Sequence, residues 1–273
     1  MSIVGFPPRV GRGRTGLGSF FINAAITAAF AVVLGLPHPG HAAPNDPAVQ
    51  AAILTDGLDR PLASPPVESS EPFGRLVADV TDGPLVDKWQ GVKHTIEAEM
   101  ALVMVCRANV AFCPSPAALE FVAIVDRARM RDGLARAGEI NRAINLDIRP
   151  VSDVDQYQVE DVWSSPLVSL ATHAGDCEDY AIAKLVALRE AGMAAQDLRL
   201  VILRDKILRE DHAVVAARVD GRWRVLDSRR FLMLEDTQFT RFQPIFAIDE
   251  TGIKRYEDVP QVSASTAPVH PYF

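Results

Sequence analysis

A chain of 273 residues, 48% of them hydrophobic, is long enough to bury one sizeable core. Its formal charge is −7 and no basic block follows the N-terminus, which argues against a nucleic-acid partner. The cysteine count is odd, at three, so an oxidising compartment leaves at least one thiol unpaired or bridging between chains.

The N-terminus carries an export pattern. Arg9, Arg12 and Arg14 form a positive region, residues 19–36 run SFFINAAITAAFAVVLGL without a charge, and Gly40 and Ala42 sit at cleavage-compatible positions. Residues 1–42 read as a secretory signal peptide cut after about Ala42. The alternative is an uncleaved anchor, because the apolar run approaches a membrane span in length. Either reading puts the body outside the cytoplasm, periplasmic or secreted. No other stretch is apolar enough to cross a bilayer. Residues 43–72 are rich in Pro, Ala, Ser and Asp and read as a disordered linker, with the folded domain over 73–260 and a tail over 261–273.

Between Leu85 and Val110 the apolar residues Trp89, Val92, Ile96, Met100 and Val103 fall at helical spacing. Cys106 and Cys113 lie close in sequence but would stand about 10 Å apart on a continuous helix. Cys113-Pro114 marks a helix end, so a bridge between them stays open. Ser115-Pro116 starts a second helix with Leu119, Phe121, Val122, Ile124 and Val125 as its apolar stripe. A break is expected between Gly133 and Ile144, and residues 148–165 read as loop. Asp176 suits an N-cap, a helix follows from Cys177 to Glu190, and Gly192 closes it. Residues 198–203, 212–219 and 222–227 then read as strands, and Asp220-Gly221 is a two-residue hairpin signal. Helices followed by an antiparallel sheet make an α+β fold.

The hairpin carries the chemistry. With Asp220 and Gly221 as the loop, Val219 faces Arg222 and Val214 faces Asp227, so His212 is a diagonal neighbour of Asp227 on the same face. A carboxylate beside an imidazole holds its tautomer and stabilises the imidazolium. Cys177 opens a helix, whose N-terminus favours a thiolate. Cys177, His212 and Asp227 therefore form a candidate nucleophile, base and orienting group. Each has a plainer reading: a small buried cysteine, a satisfied core histidine, an aspartate opening a turn. His173, four residues before Cys177, is a rival base for which the pattern supplies no orienting carboxylate. His94 and His270 read as structural or exposed. Around Cys177 the sequence GDCEDYAI puts three acids, Asp176, Glu178 and Asp179, next to a thiol whose ionisation they oppose.

GDCEDYAIAKLVALREAG, then DHAVV, then GRWRVLD resemble the bacterial transglutaminase-like cysteine proteases, whose LapG-type periplasmic members release biofilm adhesins. VEDVWSSP and the Trp89 helix are also similar, and the resemblance covers roughly residues 85–256. It implies a papain-like or transglutaminase-like fold and a Cys-His-Asp triad at Cys177, His212 and Asp227. It also implies calcium held near the cysteine, with Asp176, Glu178 and Asp179 as candidate ligands; otherwise these acids only complement the helix dipole. The implied partners are a protein substrate, such as a surface adhesin, and an inner-membrane regulatory receptor. Ser228 departs from the family's usual Asn after LD. The Cys177 backbone N–H is the candidate oxyanion donor, and Trp163 either donates from its indole, walls the cleft or packs in the core. The expectation is an exported calcium-dependent cysteine endopeptidase. The alternatives are transglutaminase or amidase chemistry on the same triad, or a non-catalytic calcium-dependent binding module.

Overall fold

A computed structural model describes residues 70–258. The expected signal peptide, nearly all of the linker, the tail and His270 lie outside the described residues. Among the described residues no helix is long and apolar enough to cross a membrane.

The strands are β1 (Val77–Val80), β2 (Arg149–Pro150), β3 (Ala174–Gly175), β4 (Leu198–Asp205), β5 (Asp211–Val219), β6 (Arg222–Leu226), β7 (Leu234–Glu235), β8 (Phe242–Ile248) and β9 (Ile253–Tyr256). The helices are α1 (Pro84–Ala108), α2 (Pro116–Arg129), α3 (Gly133–Asp147), α4 (Asp153–Tyr157), α5 (Pro166–Thr172) and α6 (Cys177–Glu190). Seven strands form one antiparallel sheet in the order β1-β9-β8-β4-β5-β6-β7. The α+β expectation holds, with the helices packed on one face of that sheet. Helix α6, which begins at Cys177, lies against the central strands β4 and β5.

Side-chain alternation explains the layering. On one face of the sheet Leu200, Val215, Ala217 and Leu226 join the core formed with Phe121, Ile140, Leu170, Ile182 and Leu188 of the helices. On the other, Val201, Leu203, Val214, Ala216 and Val225 pack with Trp223, Phe239, Phe242 and Tyr256. The central strands are thus buried on both faces, which is why their sequences read as continuous apolar runs.

Local chemistry sets several boundaries. Ser115 caps α2 by accepting from the Ala118 N–H at 3.2 Å. The α1 helix ends at Ala108 because Asn109 turns extended, and a short 3-10 turn, Val110–Phe112, carries Cys113 back to a disulfide with Cys106. The two cysteines thus form the bridge, their Cα atoms 4.5 Å apart. The expected break between Gly133 and Ile144 is not one. This stretch is α3, with Ala137, Ile140, Asn141 and Ile144 buried at helical spacing, and the two glycines obscured the period. The segment expected as loop, 148–165, contains the one-turn helix α4, capped by Ser152. Upstream, Glu71 and Pro72 fall in the linker by composition, yet both are buried, and Glu71 pairs with Arg199 at 2.7 Å.

Candidate active site

The β5–β6 hairpin has the register that counting from its turn requires. Val219 faces Arg222 and Val215 faces Leu226, with no bulge between them. Asp220 and Gly221 both take positive φ, the geometry of a tight hairpin turn. That register puts His212 and Asp227 on one face at the same end of the sheet. His212 Nε2 lies 2.8 Å from Asp227 Oδ1, and both side chains are fully buried. Asp227 Oδ1 also accepts from the Arg229 N–H at 3.0 Å, and Arg230 Nε stands 3.3 Å from Oδ2. Burial works to raise the Asp227 pKa, but the imidazole and these donors outweigh it and hold the carboxyl below its ordinary value. An ionised carboxylate only accepts, so Nε2 carries the ring proton. Nδ1 is buried and makes no hydrogen bond among the described residues. It is the free basic nitrogen of the ring.

Cys177 is the first residue of α6, the helix packed on β5. The backbone N–H of Ala213, next in sequence to His212, interacts with its sulfur. The thiol's own hydrogen bond goes to Glu178 Oε2 at 2.9 Å. Burial pushes the thiol pKa far up, Glu178 adds to the rise by charge and hydrogen bond, and the Ala213 N–H opposes it weakly. As the groups stand, the sulfur is held protonated and is tied to a carboxylate rather than to His212.

The acids around Cys177 divide into two sets. Carboxylate oxygens of Asp176 and Glu178 lie within 4.8 Å of one another and of Asp153 in α4. Asp153 was missed in the sequence, because nothing local marks a loop aspartate 23 positions upstream as a neighbour of the helix start. Its Oδ2 accepts from the Val162 N–H and its Oδ1 is an orphan. Asp176 Oδ1 is also buried without a hydrogen-bond partner. Asp179 stands next to this group but is turned inward, fully buried, with Oδ1 accepting from the Ser164 N–H at 2.7 Å and Oδ2 unpartnered. Gly175 is required here, since a Cβ would lie 2.6 Å from Asp179 Oδ2. Burial followed by Glu178 raises the Asp176 pKa to about 9, and burial chiefly raises that of Asp179 to about 7. Orphaned, mutually repelling carboxylates are a donor set suited to a hard cation such as calcium.

The remaining candidates sort as follows. His173 does have a carboxylate neighbour, Asp147 Oδ2 at 3.2 Å, on the exposed side of the β2–β3 pairing. Trp163 packs edge-on against Trp89 with centroids 6.4 Å apart and lies under the Lys88 ammonium. Lys184 of α6 is buried, in keeping with its place at helical spacing among apolar residues. Burial brings its pKa down to about 7, against the pull of Asp227.

A family model described as bacterial transglutaminase-like cysteine proteinase, BTLCP, matches residues 93–243, more than half of the chain. Calcium-bound LapG of Legionella pneumophila aligns at 19% identity and TM-score 0.47, over 61% of this chain and 92% of that one. The EGTA-treated form of the same protein aligns at 19% identity and TM-score 0.48, over 59% and 86%. No curated protein matches the chain significantly.

Proposed function

Because this chain belongs to the bacterial transglutaminase-like cysteine proteinases and is a cysteine peptidase, we propose that it is an exported, calcium-dependent endopeptidase working through Cys177, His212 and Asp227. The observation that carries the reading is the buried His212–Asp227 pair, which leaves Nδ1 open beside the strand residue that meets the Cys177 sulfur.

His212 Nδ1 takes the thiol proton, and Cys177 Sγ adds to the carbonyl carbon of the scissile peptide. The oxyanion faces the start of α6, where the Cys177 N–H has no acceptor within the helix. The imidazolium gives its proton to the leaving nitrogen as the C–N bond breaks, and a thioester remains. Water, deprotonated by Nδ1, adds to the thioester and the thiol departs. Asp227 accepts from Nε2–H throughout and fixes the ring.

Asp153, Asp176 and Glu178 fit calcium by chemistry, and Asp153 and Asp176 each add an orphaned oxygen, with Asp179 behind them. When bound, the ion supplies positive charge that offsets the acids beside the thiol. The Glu178 carboxylate then has a partner other than the sulfur.

The substrate class is a surface or periplasmic protein, an adhesin by resemblance, with an inner-membrane receptor as regulator. Export is supported by the charged and apolar N-terminal pattern and by the Cys106–Cys113 disulfide. The test compares proteins released from cells producing the intact chain with those from cells producing Cys177→Ser. Loss of specific released fragments in the variant is expected. Identical release profiles, with both proteins folded and exported, would remove Cys177 from the mechanism.

A further inference from the structure

The loop that follows β6 supplies two donors to Asp227. The Arg229 N–H donates to Oδ1 at 3.0 Å, and Arg230 Nε stands 3.3 Å from Oδ2. Both reach the carboxylate only if the chain turns back sharply after Asp227. Burial does not enforce that turn, since Arg229, Arg230, Phe231 and Leu232 are all exposed. Arg230 keeps one ring contact, its guanidinium lying 5.4 Å from the centre of Phe239. The turn's own hydrogen bond, from the Arg230 N–H to the Asp227 carbonyl, is long at 3.4 Å.

The restraint comes from α3. Asn145 Nδ2 donates to the Asp227 carbonyl at 3.0 Å and to the Arg230 carbonyl at 3.1 Å. Asn141 Nδ2, one turn earlier on the same face, donates to the Arg230 carbonyl at 3.2 Å and to the Phe231 carbonyl at 3.1 Å. A side-chain amide has two N–H groups, so each asparagine has both of them engaged by this one loop. Carbonyls only accept, which settles the way each amide faces. The two amide oxygens are buried and make no hydrogen bond among the described residues, and Asn141 is wholly buried. A buried oxygen left unpaired is costly, and asparagine forms helix less readily than alanine or leucine. Neither packing nor helix propensity therefore accounts for the two residues, whereas their N–H groups do.

Building on the Cys-His-Asp reading, we infer that Asn141 and Asn145 are positioning residues: their amides lock the turn from Asp227 to Phe231, and the locked turn seats the Arg229 N–H and the Arg230 guanidinium on the Asp227 carboxylate, holding it against His212 Nε2. Helix α3 also packs on α6, which begins at Cys177. One helix thus ties the loop of the orienting group to the helix of the nucleophile. The sequence conceals this role, because 82 positions separate Asn145 from Asp227.

The test uses the full chain with calcium added and compares the wild type with Asn145→Leu, which keeps the bulk and removes the donors. Proton NMR follows the two protons that meet on Asp227 Oδ1, the Arg229 amide and His212 Nε2–H. In the variant both should exchange with water about tenfold faster or more, and the Nε2–H resonance should move upfield. The amides of Val219 and Arg222, at the turn end of the same hairpin, should not change. Alkylation of Cys177 by iodoacetamide should slow by about tenfold. In an Asp227→Asn background, Asn145→Leu should slow it no further, whereas a general loosening would add there. Unmoved Oδ1 protons in folded Asn145→Leu overturn the inference, and so does an equal change at Val219 and Arg222. If Asn145→Leu does not fold, Asn145→Ser, whose shorter side chain cannot bridge the two carbonyls, is read by the same criteria. Alkylation slowed by Asp227→Asn but untouched by the Asn145 variant defeats only the role of the asparagines. Alkylation untouched by Asp227→Asn defeats the triad itself.

Discussion

Nε2 of His212 lies 2.8 Å from Oδ1 of Asp227, in a pair from which solvent is excluded. The pair exists because a two-residue turn puts the end of β6 beside the start of β5 without a bulge. Asp227→Asn should preserve that register and remove the acceptor that fixes the tautomer. Peptidase activity should fall by about a hundredfold or more, with the fold retained by circular dichroism. Ser228→Ala should cost less. The reverse order would sink the assignment of Asp227 as orienting group.

Carboxylate oxygens of Asp153, Asp176 and Glu178 lie within 4.8 Å of one another, so the proposed calcium site ranks its acids. Calorimetric titration with calcium should show Asp153→Asn and Asp176→Asn weakening binding by about tenfold or more. Asp179→Asn should weaken it less, because Oδ1 is already engaged by the Ser164 N–H. Wild-type affinity in Asp153→Asn would remove α4 from the ion's shell.

The same acids make stability depend on pH when calcium is chelated. Asp176 and Asp179 have folded pKa values of about 9 and about 7, raised from the ordinary 3.8. A carboxyl raised on folding takes up its proton in the native state first. Its contribution is therefore complete below the unfolded value and is lost as pH rises through the folded one. In chelator the melting temperature should fall between about pH 5 and about pH 9. Saturating calcium should flatten that slope, since the charged forms then have a partner. A melting temperature that rises over this range in chelator would contradict the arrangement.

Glu178 holds the thiol proton through a 2.9 Å hydrogen bond. Glu178→Gln should therefore speed iodoacetamide alkylation of Cys177 in chelator, by about tenfold for each unit the thiol pKa falls. Burial, the larger cause of the raised pKa, remains in the variant, so the thiol will not become freely reactive. Slower alkylation would show that the carboxylate activates the sulfur instead.

The Cys106–Cys113 disulfide closes a short loop at the end of α1. Cys113→Ser should lower unfolding free energy by about 2 kcal/mol in denaturant titration. It should leave the alkylation rate of Cys177 unchanged, because no site residue lies on α1. A change in that rate would connect this helix end to the site.

What the sequence alone determined is what local rules govern. The helix beginning at Cys177, the glycine that closes it, the Asp220-Gly221 turn and the His212–Asp227 register all follow from spacing and turn chemistry within about fifteen residues. Helix α3 was illegible because two glycines interrupt a period that tertiary burial nevertheless enforces. The short strands β1, β7 and β9 went unread because their pairing is set by distant partners such as Tyr256 across from Val77. Only the tertiary structure decided that Asp153, and not Asp179, joins Asp176 and Glu178. It alone buried the Lys184 ammonium within the helix layer, away from water and from any hydrogen-bond partner among the described residues. The physical reason is common to both: electrostatic neighbours act through space and through burial, and neither their distance nor their desolvation is written in the separation of residues along a chain.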